Sequence, residues 1–423
     1  MYLVGGCVRD VMMAHQEVGD IDMTTDAHPS ETIAILKAEG LPVYPIGERF
    51  GTISTLVDGT PIEITTFRVE EQYERGNRKP NVTFGRSLRH DLSRRDLSIN
   101  AMAAGRGGKL HDPFGGQRAI EERILEVPGG GFENTVGILQ DDPLRLLRIA
   151  RFCARFGFEP TPETTAAAQE TAEQLEHISR ERWKMEIDKT LIAEHVHRGL
   201  RWLHHVGAWK VLFPTIGHAP GADERVIDAV ARTDEDRITR WAVIFLASAW
   251  LQAHGKLPDL HGTAEDFPEP AKLGRSASRN ARRFRFSNEE RAHVRALCEA
   301  PVPAQQLCAD WDRVTRRRFL AQWGDLYAGA LALGQAWAQT DDVQYQALRT
   351  QMQQAYNDED VIVRLPRGFG QRVLDELQIP RGPQVSETIE TVRQAIIDGA
   401  LPNGASSEVY LDFLRHRIPN ASS

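Results

Sequence analysis

Along residues 1 to about 127, short apolar and β-branched runs alternate with turn residues: Tyr2–Val4, Gly51–Val57, Pro61–Phe67, Asn81–Phe84, Lys109–His111 and Ile124–Val127. Runs of this length bounded by Gly, Pro and Asp read as strands, and Asp58-Gly59 between two of them reads as a hairpin turn. A mixed or antiparallel sheet is expected. Ser30 to Glu39, with the serine as N-cap and Gly40 just past its end, predicts a helix on that sheet. From Pro128-Gly129-Gly130-Gly131 onward the strand signals largely disappear. Apolar residues then recur at three- and four-residue spacing through Leu139–Phe156, Glu163–Leu175, Glu181–Leu191 and beyond, which predicts helices. The pattern describes an α+β chain in four parts: a sheet-bearing head over 1–127, a helical neck over 128–195, a helical body over 196–330 and a helical tail over 331–423. Pro-rich interruptions at 257–270 and 301–303 and glycines at 368–370 mark further subdivision.

Composition narrows this picture. With 423 residues, 41% hydrophobic and 26% charged, the chain has core material for several domains and is neither disordered nor collagen-like. The longest apolar run, Trp241 to Leu251, falls well short of the ~20 residues a bilayer requires. The N-terminus has no apolar signal-peptide core, so a cytoplasmic location is expected. Cys7, Cys153, Cys298 and Cys308 lie far apart with no C-x-x-C pair and read as free thiols. A net charge of −8 gives no global attraction for nucleic acid, so a polyanion must meet local basic patches.

Candidate chemistry concentrates in the head. Leu3-Val4-Gly5-Gly6-Cys7-Val8-Arg9-Asp10 is a strand, a glycine turn and a basic residue near a helix start. Such a turn lets backbone N–H groups approach an anion, and it serves equally as a plain structural turn. In Gly19-Asp20-Ile21-Asp22 two carboxylates at i and i+2 share one side of a strand. They mark either a Mg²⁺ site or a solvated turn. Glu63, in Pro61-Ile62-Glu63-Ile64-Thr65-Thr66-Phe67, faces away from its isoleucine neighbours and supplies a third acid. Three strand-borne acids are what two-metal phosphoryl transfer requires.

Taken together, these segments resemble the class II CCA-adding tRNA nucleotidyltransferases and the bacterial poly(A) polymerases, within the DNA polymerase β-like nucleotidyltransferase superfamily. The resemblance extends through Gly47-Glu48-Arg49-Phe50-Gly51-Thr52, Arg94-Arg95-Asp96-Leu97-Ser98-Ile99-Asn100-Ala101, Asp112-Pro113-Phe114-Gly115-Gly116 and Asp141-Asp142-Pro143-Leu144-Arg145. It is specific over residues 1 to about 190 and looser beyond. It implies a polymerase β-like head followed by an all-α neck, body and tail. The implied reaction adds CCA to the 3′ end of tRNA from CTP and ATP with Mg²⁺, and no membrane or obligate protein partner is implied. By carry-over, Asp20 and Asp22 bind metal, Glu63 assists the primer hydroxyl, and Gly5, Gly6, Arg9 and Arg95 contact the nucleotide. Asp96 and Asn100 are equally readable as structural. Asp141 stands where the family more often has Glu, and Leu97-Ser98 where it has Phe-Thr. Many relatives carry a helix before the first strand, so either the true start lies upstream or that helix is dispensable.

Asp142-Pro143-Leu144-Arg145 opens a helix, with Asp142 and Arg145 three apart as an intrahelical ion pair or as a template for bases. A carboxylate accepting from an amino group beside a guanidinium donating to a ring nitrogen suits cytosine and adenine and leaves uracil and guanine unpaired. In the family this pair is the template, and Arg148 and Arg151 extend toward phosphate, Arg151 less directly because its direction is roughly opposite to Asp142. The polar stretch Phe67–Phe84, with Arg68, Tyr73, Arg75, Arg78 and Lys79, is full length. By resemblance this favours complete CCA addition, or A addition alone, over CC addition. The form of residues 47–52 resembles the tRNA enzymes rather than the poly(A) polymerases. A catalytically inactive RNA-binding relative is the alternative from another class, and retention of Asp20, Asp22 and Glu63 argues against it. Arg282, Arg283 and Arg285 with Phe284 or Phe286 as anchors, and Arg316 and Arg317 beside Arg318, either track a tRNA backbone or are solvated helix faces. His195, His197, His204 and His205 read as structural or surface residues without an acidic partner at ligand spacing. No His-Asp pair in the helical half points to the hydrolase domain some relatives carry.

Overall fold

The computed structural model describes residues 1–14, 20–72, 81–234, 236–258, 269–299, 302, 304–307, 311–338, 342–358 and 363–417. Tyr73, Arg75, Arg78, Lys79 and Cys308, like Gly19, lie outside the described residues. Two compact units emerge. One contains residues 1–231, 235–237 and 280–287, and the other contains 232–234, 238–279 and 288–423.

The first unit begins with a six-stranded mixed sheet. Its strands are β1 (Tyr2–Val4), β2 (Ile21–Thr25), β3 (Thr52–Val57), β4 (Thr60–Thr66), β7 (Ala103–Ala104) and β8 (Leu110–His111), in the order β3-β4-β2-β1-β7-β8. β2 and β4 are parallel, and the other pairs are antiparallel. The hairpin between β3 and β4 turns at Asp58 and Gly59, both with positive φ, as a two-residue primed turn requires. Alternation along β4 turns Ile64 into a cluster with Leu36 and Ile53, backed by Met23, Ile33 and Ile62, and leaves Glu63 exposed.

The short helix α1 (Gly6–Met12) follows β1 directly, and α2 (Pro29–Ala38) covers the sheet. The latter is capped at His28, two residues before the expected Ser30. Pro29 occupies the first helical position, where its fixed φ is already helical, and Glu31 accepts from the His28 N–H at 2.7 Å. Within 67–84, read from sequence as a polar connection, β5 (Arg68–Gln72) and β6 (Asn81–Phe84) pair as a separate antiparallel hairpin.

Helices α3 (Leu88–Ser93) and α4 (Gly116–Glu121) complete the head. The predicted run Leu139–Phe156 is two helices, α5 (Phe132–Asp141) and α6 (Leu144–Phe156), with Asp142 extended at φ −141°. Pro143 causes the break, because a proline disfavours helical backbone in the residue before it. α5 packs against α7 (Pro162–Thr171), and α6 packs against α8 (Arg180–Leu191) and α9 (Val196–His205). At the last contact Gly199 lies on the Ala150 carbonyl, where any Cβ would overlap. The expected neck–body boundary at 195/196 therefore separates helices that pack closely. The last strand of the head, Ile124–Leu125, pairs in parallel with a short strand of the helical half, Glu159–Pro160.

The second unit is helical. The apolar run Trp241–Leu251 lies within helix Arg237–His254 and is largely core. None of the described helices is long and apolar enough to cross a membrane. Helix Tyr327–Ala338 runs through the expected 330/331 boundary, and nearly all its residues are buried. A later core of its own, built on Phe369, Val373, Val392, Ile396, Tyr410, Leu411 and Leu414, gathers helices Phe369–Leu377, Pro383–Ile397 and Ser407–Arg415. Cys7, Cys153 and Cys298 are buried free thiols, and burial pushes the Cys153 and Cys298 thiols far above their usual range.

Candidate active site

A cavity of about 400 Å³ opens where the sheet edge, the turn after α3 and the α5–α6 junction meet, all within the first unit. Asp22, Glu63, Arg95, Asp142, Arg145 and Arg148 line it, as do Arg68, Asp91 and Arg182. The first six were candidates from sequence, Arg68 was noted only as part of the polar stretch 67–84, and Asp91 and Arg182 were not singled out.

The acidic end is set by strand register. Asp22 of β2 lies opposite Glu63 of β4 in the parallel pair. Burial first, then the charges of Glu63 and Asp20, push the Asp22 carboxyl above the usual carboxylate range, while Arg95 pulls it back. Hard oxygen donors that repel one another in this way suit a hard divalent cation. Asp20 departs from the sequence reading: it lies exposed in the bend before β2, so strand alternation does not aim it, and it does not line the cavity. Among the described residues no three His, Cys, Asp or Glu side chains are close enough to enclose a metal by themselves.

The glycine turn lies beside these acids. Gly5 has φ +76° and ψ −130°, and a Cβ there would meet Arg95 Nη1 at 2.9 Å and Asp22 Oδ2 at 4.0 Å. Only glycine allows that approach without strain. Gly6 is the first helical residue of α1 and has no such crowding, its nearest neighbour being Arg9 Nη2 at 3.5 Å.

Arg9, expected on the nucleotide, is held away from this wall. It is 4% exposed and does not line the cavity. Its Nε and Nη2 donate to Asp10 Oδ1 at 2.9 and 2.7 Å, Nη1 donates to Asn100, and the guanidinium lies over the rings of Phe152 and Phe156. Burial lowers its pKa, opposed by the charge of Asp10. In this geometry Arg9 ties α1 to α6 instead of facing a nucleotide.

Asp96 has a similar structural role. Arg148 Nε and Nη2 donate to its Oδ2 at 2.8 and 2.7 Å, and Asn100 and the Leu97 N–H donate to Oδ1. Burial would raise the Asp96 carboxyl, but the charge and hydrogen bond of Arg148 and the Asn100 amide together hold it far below the usual range. Arg148 thus spans the cavity wall and a buried anchor. Arg151 points elsewhere and pairs with Glu186 of α8 at 3.1 Å.

Asp142 and Arg145 are not an ion pair on one helix face. Extended backbone at Asp142 turns its carboxylate to Arg182 of α8, whose Nη2 lies 3.2 and 3.1 Å from the two oxygens. The Leu144 N–H donates to Oδ1 at 3.3 Å. Arg145 donates to the carbonyls of Ile138 at 2.6 Å and Arg94 at 2.7 Å. Each member is anchored by something other than its sequence neighbour, and both still line one wall.

The basic clusters of the helical half are largely engaged. Phe284 and Phe286 are 7% and 6% exposed, with Phe284 against Trp183 and Phe213, so they are core residues and not RNA anchors. Arg285 pairs with Glu181, whereas Arg282 and Arg283 are exposed. Arg316 donates to the Trp311 carbonyl, and Arg317 to those of Ile396 and Ile397 at the end of helix Pro383–Ile397. His204 Nδ1 meets the buried Asp223, a structural contact.

A strand-borne acid pair, a glycine turn and an anchored Asp/Arg wall around one cavity define a nucleotidyltransferase head. Residues 1–126 match the poly A polymerase head domain family, and residues 157–219 match the probable RNA and SrmB-binding site of polymerase A. A CCA-adding enzyme of Geobacillus kaustophilus is 30% identical over 422 residues, covering 95% of this chain and 90% of that protein. One of Bacillus licheniformis is 42% identical over 233 residues, and there the match spans only 54% of this chain and 55% of the relative. The crystal structure of the Bacillus stearothermophilus CCA-adding enzyme in complex with CTP is 26% identical with a TM-score of 0.70, covering 98% of this chain and 92% of that one. The chain belongs to the CCA-adding enzyme family of tRNA nucleotidyltransferases.

Proposed function

We propose that this protein completes the CCA end of tRNA from CTP and ATP, choosing each base with Asp142 and Arg145 and without a nucleic-acid template. The observation that carries this reading is the placement of those two anchored side chains in the same cavity as Asp22 and Glu63. The cytosine N4 or adenine N6 amino group donates to Asp142, and the Arg145 guanidinium donates to cytosine N3 or adenine N1. Uracil and guanine oppose a carbonyl to the carboxylate, and each unpaired buried polar group costs about 1–3 kcal/mol. CTP bound to the structural relative supports the cytosine half of the assignment.

The primer 3′-hydroxyl attacks the α-phosphorus. A new P–O bond forms, the bond to the β-phosphate bridge breaks, and pyrophosphate leaves. Glu63 accepts the hydroxyl proton, and Arg95 and the Gly5-Gly6 turn receive the triphosphate. Arg148 reaches phosphate by releasing one of its contacts with Asp96. Asp22, with Asp20 beside it at the start of β2, would hold Mg²⁺, which would supply charge stabilisation at the leaving oxygen. Exposed Arg282 and Arg283 contribute to the tRNA grip, and the protein works in the cytoplasm.

Three tRNA transcripts, ending before CCA, after C and after CC, test the product with CTP and ATP singly and together. Extension by two cytosines and then one adenosine, followed by arrest, is expected. Activity on the CC-ending transcript alone makes this an A-adding enzyme. Long adenosine tails make it a poly(A) polymerase, and no incorporation makes it an inactive RNA-binding relative.

A further inference from the structure

Asp91 has no role in the chemistry above, yet its carboxylate is a hub of the cavity. It sits on α3 with its side chain 5% exposed, and it lines the wall. Oδ2 accepts from Arg95 Nη2 at 3.4 Å, one turn along the chain. Oδ1 accepts the backbone N–H of Arg68 at 3.2 Å, at the start of β5. The Thr24 hydroxyl lies 3.3 Å from Oδ2 and 3.1 Å from the Thr65 carbonyl, and shares one proton between them. One buried anion therefore links the strand that carries Asp22, the strand that carries Glu63, the first residue of the β5–β6 hairpin and the cation beside Gly5.

A carboxylate in such a place has a cost. Buried charges persist when they are paired and hydrogen-bonded, and hydrophobic packing of α3 would be served as well by a leucine. The contact geometry indicates what the charge does. Arg95 is the shared element: the guanidinium that meets Asp91 through Nη2 presents Nη1 2.9 Å from where a Gly5 Cβ would stand, and its charge offsets Asp22. An arginine on a turn has many rotamers. Fixing one Nη against a buried acceptor leaves the other aimed at the glycine turn.

We propose that Asp91 is a positioning residue that aims Arg95 at the triphosphate and fixes the root of the β5–β6 hairpin relative to Asp22 and Glu63. This rests on the reading of the cavity as a nucleotide site with Arg95 on the phosphates. It assigns the acid three residues ahead of Arg94 to orientation of the cation rather than to metal binding.

The test is a double-mutant cycle on the full chain, with CTP kinetics on the transcript lacking CCA and thermal unfolding measured in parallel. Asp91→Asn keeps the shape and removes the charge. It should raise KM for CTP about tenfold, the equivalent of ~1.4 kcal/mol, with a smaller change in kcat. Arg95→Ala should raise KM at least as much, and the double variant should be no worse than Arg95→Ala, because Asp91 acts through Arg95. If the two effects multiply in full, or if Asp91→Asn lowers the melting temperature without moving KM, Asp91 is a structural acid and the proposal fails. If Arg95→Ala leaves KM unchanged, the nucleotide reading of the cavity fails first and takes this proposal with it. Arg95→Lys decides the matter even if Asp91→Asn does not fold. A point-charge ammonium cannot serve both Asp91 and the glycine turn, so its KM should rise like that of Asp91→Asn, and a normal KM overturns the assignment.

Discussion

Replacing Gly5 with alanine tests the cavity geometry at its tightest point. Its φ of +76° with ψ of −130° lies where side-chain-bearing residues are strained, at a cost of about 1–3 kcal/mol. The new Cβ also meets Arg95 Nη1 at 2.9 Å, and the flexible guanidinium is what gives way. Displacing it forfeits a charge-assisted contact to phosphate worth ~1.5–3 kcal/mol, or roughly 10–100-fold in KM for CTP. The adjacent Gly6→Ala is the control. Gly6 has helical backbone, and its Cβ would stand 3.5 Å from Arg9, an ordinary contact. Its unfolding free energy should therefore stay within about 0.5 kcal/mol of the parent. Urea denaturation gives the first quantity, and steady-state CTP incorporation at saturating tRNA gives the second. Gly5→Ala with unchanged stability and unchanged KM, or equal destabilisation by the two substitutions, would refute the placement of Arg95 over the turn.

Further outcomes follow from the same geometry. Asp22→Asn should abolish incorporation and raise the melting temperature in metal-free buffer. A carboxyl pushed up in the fold contributes stability below its unfolded value of about 3.9 and loses it as pH rises through the folded one, so at neutral pH the charge is a burden. Retained activity removes Asp22 from the site. Asp142→Ala should narrow the CTP-to-UTP incorporation ratio by roughly tenfold or more, more than it slows CTP, because the carboxylate that would oppose the uracil carbonyl is gone. Unchanged selectivity at reduced rate would make Asp142 structural. Asp96→Asn should cost about 1.5–3 kcal/mol at pH 7, toward the lower end because Arg148 is 37% exposed and screened. Asp96 is depressed, so its contribution is full above about pH 4 and fades as pH falls toward its folded value, and the parent–variant gap in urea should close on the acid side. A gap independent of pH would contradict an ionised Asp96. Arg9→Met should lower unfolding free energy toward the low end of about 3–5 kcal/mol, because buried Asp10 loses its main partner and keeps only Arg155 at 3.8 Å, with KM for CTP within about twofold. A large KM rise at unchanged stability would return Arg9 to the nucleotide.

Local grammar alone determined most of the head. Alternation in Thr60–Thr66 separates Glu63 from Ile62 and Ile64 whatever packs around it, and Asp58-Gly59 specifies its turn because few residue pairs tolerate two positive φ values. The same holds for the break before α6, since proline acts on its own neighbour. Side-chain partners were another matter. A motif names residues that are close in sequence, whereas a buried charge seeks whichever opposite group the fold delivers. Arg148 found Asp96 and Asp142 found Arg182, at separations of 52 and 40 residues. The helical spacing that suggested an Asp142–Arg145 pair ends at the residue concerned, because Asp142 is extended. Phe284 and Phe286 interleave with arginines just as RNA-binding aromatics do, and only the tertiary packing, Trp183 and Phe213 on Phe284 among it, makes them core. Asp91 and Arg182 carried no sequence signal because their significance lies in convergence on one cavity from α3 and α8. Periodicity and turn chemistry act over a few residues and can be read in one dimension. Pairing of buried charges is settled by desolvation in three dimensions, and only the tertiary structure decides it.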